Sequence, residues 1–462
     1  LSFVDLRQQV TVLAIYLRQR FGHGNNIILL SPNSNFFIIS YLAIMKSGNV
    51  AVSLNPNIEE EQLQYIKEQT AAVLAFVPKL LIGRLKVSFE EIWCEEEIKC
   101  LTDEKAPTDS VQETNFDPDT LAQIIYTSGS TALPKGVMIS HKNIIANTSS
   151  IIQYLKLDSN DIMEVVLPFF YCYGLSLLHT HLKVKGKIVL NNNFIFLGSV
   201  LNDLIKYKCT GFAGVPSHFQ ILLRKSDTFT KTKFPHLRYV TQAGGKLHNV
   251  FIQEFREAHP HIEFIVMYGQ TEATARLSYL PAERLNDKLG SLGKGIPDVE
   301  LNVVNIKGYP VKPGEVGEII AKGDNVMLGY YKDAEATNGV LKGEWLHTGD
   351  LAKIDEDGFI YHAARKKEII KVGGRRVSPK EIEEVIVSIP GVVDCTVEPV
   401  NDDVLGEAIK AILVINDANT ELNEKLVKEF CSTKLSSYKI PQIVEFSSQM
   451  EVNAAGKKVK KK

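Results

Sequence analysis

Small hydroxyl residues, glycines and one lysine are concentrated in a single stretch, Tyr126-Thr127-Ser128-Gly129-Ser130-Thr131-Ala132-Leu133-Pro134-Lys135-Gly136. These residue types suit a loop that wraps phosphate. Small side chains let backbone N–H groups approach an anion, hydroxyls donate hydrogen bonds, and lysine adds a point charge. The stretch follows an apolar run, Leu121 to Ile125, that reads as a buried strand. It precedes Val137 to His141, which reads as a second strand. A Walker A loop needs GxxxxGK followed by Ser or Thr. Here Pro134 stands where the second glycine should be, and Gly136 follows Lys135 where a magnesium-binding hydroxyl should be. A P-loop kinase or GTPase is therefore disfavoured, while phosphate binding by another kind of loop stays open.

The elements around this loop alternate between helix and strand. Helices are predicted over 3–20, 35–46, 59–69 and 142–155, and strands over 26–30, 50–54, 72–77 and 161–168. Such alternation predicts α/β subdomains with parallel sheet covered on both faces. The acidic segment 90–115 reads as an irregular surface connection. Further α/β units end at Gly214, at Ala243-Gly244-Gly245 and at Tyr268-Gly269-Gln270-Thr271-Glu272. Small or polar residues at strand ends mark where open α/β sheets place ligands. After Gly290 short strands and glycine or proline turns predict a β-rich part over about 290–362. A small α+β unit begins near Arg365–Lys367, with Gly373-Gly374 as a turn and a helix over 378–388. Ser378, Pro379 and Glu381 occupy the N-cap, N1 and N3 positions of that helix. The expected organisation is a large domain over 1–366 and a small one over 367–462.

The chain has 462 residues, 45% hydrophobic and 23% charged, with a formal charge of −2. That balance gives no global field for nucleic acid or anionic membrane. The apolar stretch Phe36 to Met45 is too short to span a bilayer, and no signal-peptide pattern is visible. The six cysteines are scattered without a CxxC pair, and read as reduced thiols of a cytoplasmic protein. Lysines 457, 458, 460, 461 and 462 alone would read as a solvated basic tail.

Taken in order, the motifs carry a resemblance. The run Tyr126 to Gly136 is similar to the signature loop of the adenylate-forming superfamily, which comprises acyl- and aryl-CoA ligases, luciferases and peptide-synthetase adenylation domains. Tyr268 to Glu272, Thr348-Gly349-Asp350, Arg365 to Lys371 and Gly456-Lys457 follow in the family's order. The resemblance covers nearly the whole chain and points most closely to AMP-forming acyl-CoA synthetases. It implies that a carboxylate attacks the α-phosphorus of ATP, releasing pyrophosphate, and that a thiol then takes the acyl group from the adenylate. Two anions must meet, so cations and Mg2+ matter more than a strong base.

What the resemblance implies for each residue is specific. Thr127, Ser128, Gly129, Ser130, Thr131 and Lys135 would cradle the β- and γ-phosphates. Glu272 would hold Mg2+, Thr271 would bond the α-phosphate, and Tyr268, with Gly269, Gln270 and Gly244 nearby, would face adenine. Asp350 would accept from both ribose hydroxyls, with Arg365 also reaching the ribose. Lys367 falls at the hinge position, and Lys457 is the expected catalytic lysine. Lys371, Gly373 and Gly374 belong to the loop expected beside the pantetheine of CoA or of an acyl carrier protein. Tyr171, Gly214, Ala243, Gly244 and Gly245 would line the acid pocket.

The sequence also departs from the pattern. Ala132 and Ala364 replace usual glycines, Tyr171 replaces a frequent histidine, and Glu451 to Lys458 differs from the usual Pro-Lys-Thr approach to Gly-Lys. No aspartate stands in Phe169-Phe170-Tyr171-Cys172 to meet an amino group, which favours a plain carboxylic acid, aliphatic or aryl, over an amino acid. Two readings follow. One is an AMP-forming acid:thiol ligase using ATP, Mg2+ and CoA or phosphopantetheine. The other, motivated by Ala132 and the unusual C-terminal motif, is a weak or inactive nucleotide-binding homologue. A luciferase-type oxygenase shares the scaffold but draws no support from any residue.

Overall fold

The computed structural model describes residues 1–103, 116–127, 133–226, 228–365, 368–402, 405–416, 422–449 and 452–453. Local signals start the helices as chemistry requires. Ser2 and Asp5 form a reciprocal capping box for helix Phe3–Phe21. The Ser34 hydroxyl accepts from the Phe37 N–H at the head of helix Asn35–Lys46, at 3.1 Å. Ser140 and Asn143 repeat the box for helix His141–Leu155.

The described residues form four sheets. The first runs in the order Gly329–Tyr330, Lys135–Ser140, Leu121–Thr127, Val50–Leu54, Asn26–Leu30, Leu74–Phe76 and Ile92–Trp93. The second runs Lys294–Gly295, Ser278–Leu280, Glu263–Tyr268, Tyr239–Gln242, Gly211–Gly214, Ile162–Val165 and Lys187–Leu190. Both are parallel through their middle and antiparallel at one edge. A core between them is built from Phe37, Tyr41, Phe169 and Leu178, all fully buried. Each such side chain contributes about 1.5–3 kcal/mol of apolar burial. Asn33 ties the two halves together: its amide donates to the Leu167 carbonyl and accepts from the Phe169 N–H.

A third sheet of short antiparallel strands occupies 300–365, where the glycine and proline spacing predicts β structure. The fourth belongs to the small unit. It is built on the long hairpin Val392–Asp402 and Gly406–Ile415, with helices Pro379–Ile386 and Glu424–Lys434 packed on it. The result is a large mixed α/β part followed by a smaller α+β part, as expected from the sequence.

Two local expectations are corrected. Segment 90–115 is not irregular throughout: Ile92–Trp93 pairs with Leu74–Phe76, and Glu95–Asp103 is a helix. Trp93, Cys94 and Ile98 are buried, so tertiary packing overrides an acidic composition that suggests a loop. Ser378 stands at the N-cap of helix Pro379–Ile386, with proline at N1, but its hydroxyl makes no cap. It donates instead to the Ala363 carbonyl at 2.8 Å, just before the boundary expected near 366.

Candidate active site

The hairpin of the opening loop is closed by register. Thr127 and Lys135 are partners across antiparallel strands, so residues 128–132 must connect strand ends that lie side by side. Ser128, Gly129, Ser130, Thr131 and Ala132 lie outside the described residues. Strand Gly329–Tyr330 extends the same edge, with Tyr330 opposite Val137 and the Tyr331 N–H bonded to the Gly136 carbonyl. The Lys135 ammonium therefore lies over the Tyr330 ring, 5.1 Å from its centroid, and 3.7 Å from an Asp333 oxygen.

Tyr330 links this lysine to the expected magnesium ligand. Its hydroxyl donates to Glu272 Oε1 at 2.7 Å. Burial, and then the Glu272 charge, push the phenol above its ordinary range, so it stays a donor at neutral pH. Glu272 sits on a short 3-10 turn, Thr271–Ala273, directly after strand Glu263–Tyr268. The Met327 N–H bonds the Glu272 carbonyl, and the Asn325 amide donates to the Ala273 and Arg276 carbonyls. The turn is thus held by the segment that also supplies Tyr330. Gly269 is required by space, because a Cβ there would lie 2.0 Å from the Ala275 carbonyl oxygen. The donor set fits Mg2+. Glu272 is a partly exposed carboxylate with a second oxygen for a hard cation, and such an ion takes its remaining ligands from phosphate and water. Among the described residues no cluster of three or more His, Cys, Asp or Glu side chains makes a protein-only cage.

The expected adenine and ribose residues are brought together. The Tyr268 hydroxyl donates to Asp350 Oδ2 at 2.7 Å, across 82 residues of sequence. Asp350 is buried on strand Trp345–Ile354, and its N–H bonds the Thr348 hydroxyl. That hydroxyl in turn donates to the Ile319 carbonyl, which explains why threonine precedes the Gly-Asp pair. Arg365 is the register partner of Asp350 on strand Ile360–Arg365, so the backbone sets the two expected ribose residues opposite each other. The Arg365 side chain lies outside the described residues, as do Lys367 and Lys457.

The expected acid pocket converges at the ends of the second sheet. Tyr171 stands at the N-cap position of helix Cys172–Lys183 without a side-chain cap, and its ring packs 4.9 Å from Phe170. Burial, and then the neighbouring Cys172, raise its phenol, so it remains a neutral hydroxyl. Cys172 Sγ lies 3.6 Å from the Thr271 hydroxyl, joining this helix to the residue expected at the α-phosphate. The Ala243 N–H bonds the Gly214 carbonyl, and the Gln242 amide bonds the Gly245 carbonyl before Gly244-Gly245 turns away.

Lys371, Gly373 and Gly374 form the tight hairpin between strands Ile370–Val372 and Arg375–Val377. Both glycines have positive φ, at 52° and 78°. The Lys371 N–H donates to Glu407 and the Gly373 N–H to the Leu405 carbonyl, both within the small unit. Facing the large part, Glu384 accepts from His248 Nδ1 at 3.0 Å and from the Asn249 N–H at 2.7 Å, and lies 3.0 Å from the Lys246 ammonium. Gln220 bonds Asp394 nearby.

Sequence reasoning missed Tyr330, Asp333, Arg276 and the Glu384 cluster. Two signals were present: paired tyrosines after Gly329, and an arginine set among the small and apolar residues Ala273 to Leu277.

Comparison with known proteins agrees with this layout. Residues 1–331 match the model for the AMP-binding enzyme family and residues 381–457 that for the AMP-binding enzyme C-terminal domain. The chain is 29% identical to the peroxisomal OPC-8:0-CoA ligase 1 of Arabidopsis thaliana, over all of this chain and 87% of that protein. It is 25% identical to the o-succinylbenzoate CoA synthetase of Bacillus subtilis solved with its acyl-adenylate intermediate. There the TM-score is 0.86, with 99% of this chain and 92% of that one covered. The same synthetase with ATP and magnesium gives a TM-score of 0.85, 25% identity and coverage of 98% and 92%. The chain therefore belongs to the AMP-binding enzymes, the adenylate-forming superfamily of ligases.

Proposed function

We propose that this chain activates a carboxylic acid with ATP and Mg2+, as an acyl-adenylate, and passes the acyl group to the thiol of CoA or of a carrier-protein phosphopantetheine. The observation that carries this reading is the joining of motif residues distant in sequence: Tyr268 to Asp350, Glu272 through Tyr330 to Lys135, and Thr271 to Cys172. Each pair links a residue expected at the nucleotide to one on another element.

In this reading Asp350 and Arg365 orient the ribose while Tyr268 lines adenine. Lys135 leaves Asp333 for the departing pyrophosphate, exchanging a weak, partly exposed contact for phosphate oxygens. Glu272 would hold Mg2+, which supplies charge neutralisation between the two reacting anions. Tyr171 holds the carboxylate beside the α-phosphate that Thr271 bonds, and Lys457 bridges the two as charge develops. We place the domain boundary at 366/367 and the hinge at Lys367. Rotation there exchanges Lys457 for the Lys371–Gly374 hairpin beside the thiol.

The experiment is acid-dependent exchange of labelled pyrophosphate into ATP over a panel of carboxylic acids. Exchange that is lost in Lys457→Ala is expected. ATP binding by calorimetry with no exchange for any acid would overturn the reading in favour of an inactive homologue. Mass spectrometry of the products with CoA or with a loaded carrier protein identifies the acceptor.

A further inference from the structure

Among the described residues, Arg276 is a buried cation with no anion beside it. It lies four residues after Glu272 and is only 3% exposed. The chain turns back there, since the Leu277 N–H bonds the Tyr268 carbonyl. This aims the guanidinium between strand Glu263–Tyr268 and helix Cys172–Lys183. Its centre lies 3.9 Å over the Tyr173 ring. Its nitrogens meet the Met267 thioether at 3.3 Å, the Ala275 carbonyl at 3.3 Å and the Ser176 hydroxyl at 3.5 Å. These contacts are long and their acceptors neutral; among the described residues none is a carboxylate. Other arginines of the same part are matched: Arg238 pairs with Asp161, and Arg224 with Glu254. A buried guanidinium without a counter-ion is costly to maintain, and the cost is relieved where a ligand supplies the charge.

A second observation points the same way. The Tyr239 hydroxyl is fully buried and has no hydrogen-bond partner among the described residues. Tyr239 and Thr241 are two apart on strand Tyr239–Gln242, so they share a face. Thr241 bonds the Tyr173 hydroxyl, which shows that this face looks onto helix Cys172–Lys183 and hence onto the ring beneath Arg276. Helix Cys172–Lys183 thus meets a guanidinium held only by neutral acceptors, and a strand face whose Tyr239 hydroxyl has no partner among the described residues. A carboxylate would give the guanidinium the charged acceptor that its neutral partners do not supply. These elements lead to Tyr171 at one end of the helix and to Ala243 and Gly244 at the end of the strand, the two sides of the proposed acid pocket.

We propose that Arg276 recognises a second carboxylate on the acid, so that the substrate is a dicarboxylic acid activated at one end and held by Arg276 at the other. This rests on the acid-activating reading of the site. The guanidinium presents a planar fork suited to bidentate carboxylate, and burial makes the pairing selective against an uncharged end.

The test is pyrophosphate exchange with a series of straight-chain α,ω-dicarboxylic acids against monocarboxylic acids of matched length. For wild type, the best diacid should exceed its matched monoacid in kcat/KM by on the order of 10- to 100-fold. Arg276→Met should collapse that ratio toward unity or reverse it, while Arg276→Lys, which keeps the charge but not the fork, should retain part of it. ATP affinity by calorimetry identifies variants that fail to fold, and if both fail the wild-type series decides. Robust exchange with monoacids and none with diacids would overturn the role of Arg276 and leave acid activation standing. ATP binding without exchange for any acid would remove both.

Discussion

Glu164→Gln probes a strained protonation equilibrium in the fold. Glu164 lies in the middle of strand Ile162–Val165, opposite Val189 and Phe212 on the flanking strands. It is fully buried, and neither carboxyl oxygen has a hydrogen-bond partner among the described residues. Burial, and then the charge of Asp203, push its carboxyl up to about 9 from an ordinary 4.5. Cys209 shares the niche and is itself raised to about 12, by burial first and then by Glu164 and Asp203. At neutral pH the folded protein therefore keeps a proton on Glu164 that the unfolded chain has lost. A folded state that binds more protons loses stability as pH rises, here from about 4.5 to about 9 and no further above it. At about 1.36 kcal/mol for each pH unit above 4.5, the loss by pH 7 is on the order of 3 kcal/mol. Glutamine has nearly the same volume but no titration, so the variant should escape this slope. The assay is urea unfolding of both proteins followed by far-ultraviolet circular dichroism between pH 5.5 and 9. Other titrating groups are common to both chains and cancel in the difference. Glu164→Gln should gain on wild type steadily with pH, by on the order of 1.4 kcal/mol for each pH unit. A difference that stays constant over that range would mean that Glu164 is ionised or paired in the folded state, and would refute the reasoning.

Two further outcomes follow from the site and from the contact of the small unit with the large one. Asp350→Ala removes an acceptor-only group from the proposed ribose and from the Tyr268 hydroxyl. KM for ATP in pyrophosphate exchange should rise about 10- to 100-fold, whereas a change below twofold would place the ribose elsewhere. Glu384 is penalised by burial, but the His248 bond and charge, with Lys246, outweigh this and hold its carboxyl at about 2. A depressed carboxylate stabilises above its ordinary 4.5 and loses that contribution as pH falls toward 2, here on the order of 3 kcal/mol. Glu384→Gln should therefore loosen the contact at neutral pH and speed amide exchange in helix Pro379–Ile386. Unchanged exchange there would show that the apolar contacts alone hold the small unit in place.

Much of this protein is legible in its sequence alone. The strands 26–30 and 50–54 and the helix 35–46 match the observed bounds, because each is a near-continuous apolar run closed off by Ser, Asn, Gly or Pro, a signal local to the sequence. The order of the motifs named the superfamily, and their residue types named the chemistry. Composition misled where packing outweighed it, as at Trp93 and Ile98 beneath an acidic surface. Position misled at Ser378, whose hydroxyl found a more distant carbonyl than its own helix.

Long-range geometry decided the rest. Whether Tyr268 meets Asp350 depends on a bond across 82 residues, and Glu272 with Tyr330 on one across 58. No window of sequence contains both partners, so such a bond is set by how the sheets are joined. The same holds for Arg276. Its type is plain in the sequence, but a surface arginine and a buried one without an ion pair are written with the same letter. Only the return of the chain beside Tyr268, which lays its guanidinium on Tyr173 with no ion pair among the described residues, makes that charge the basis of the dicarboxylate proposal.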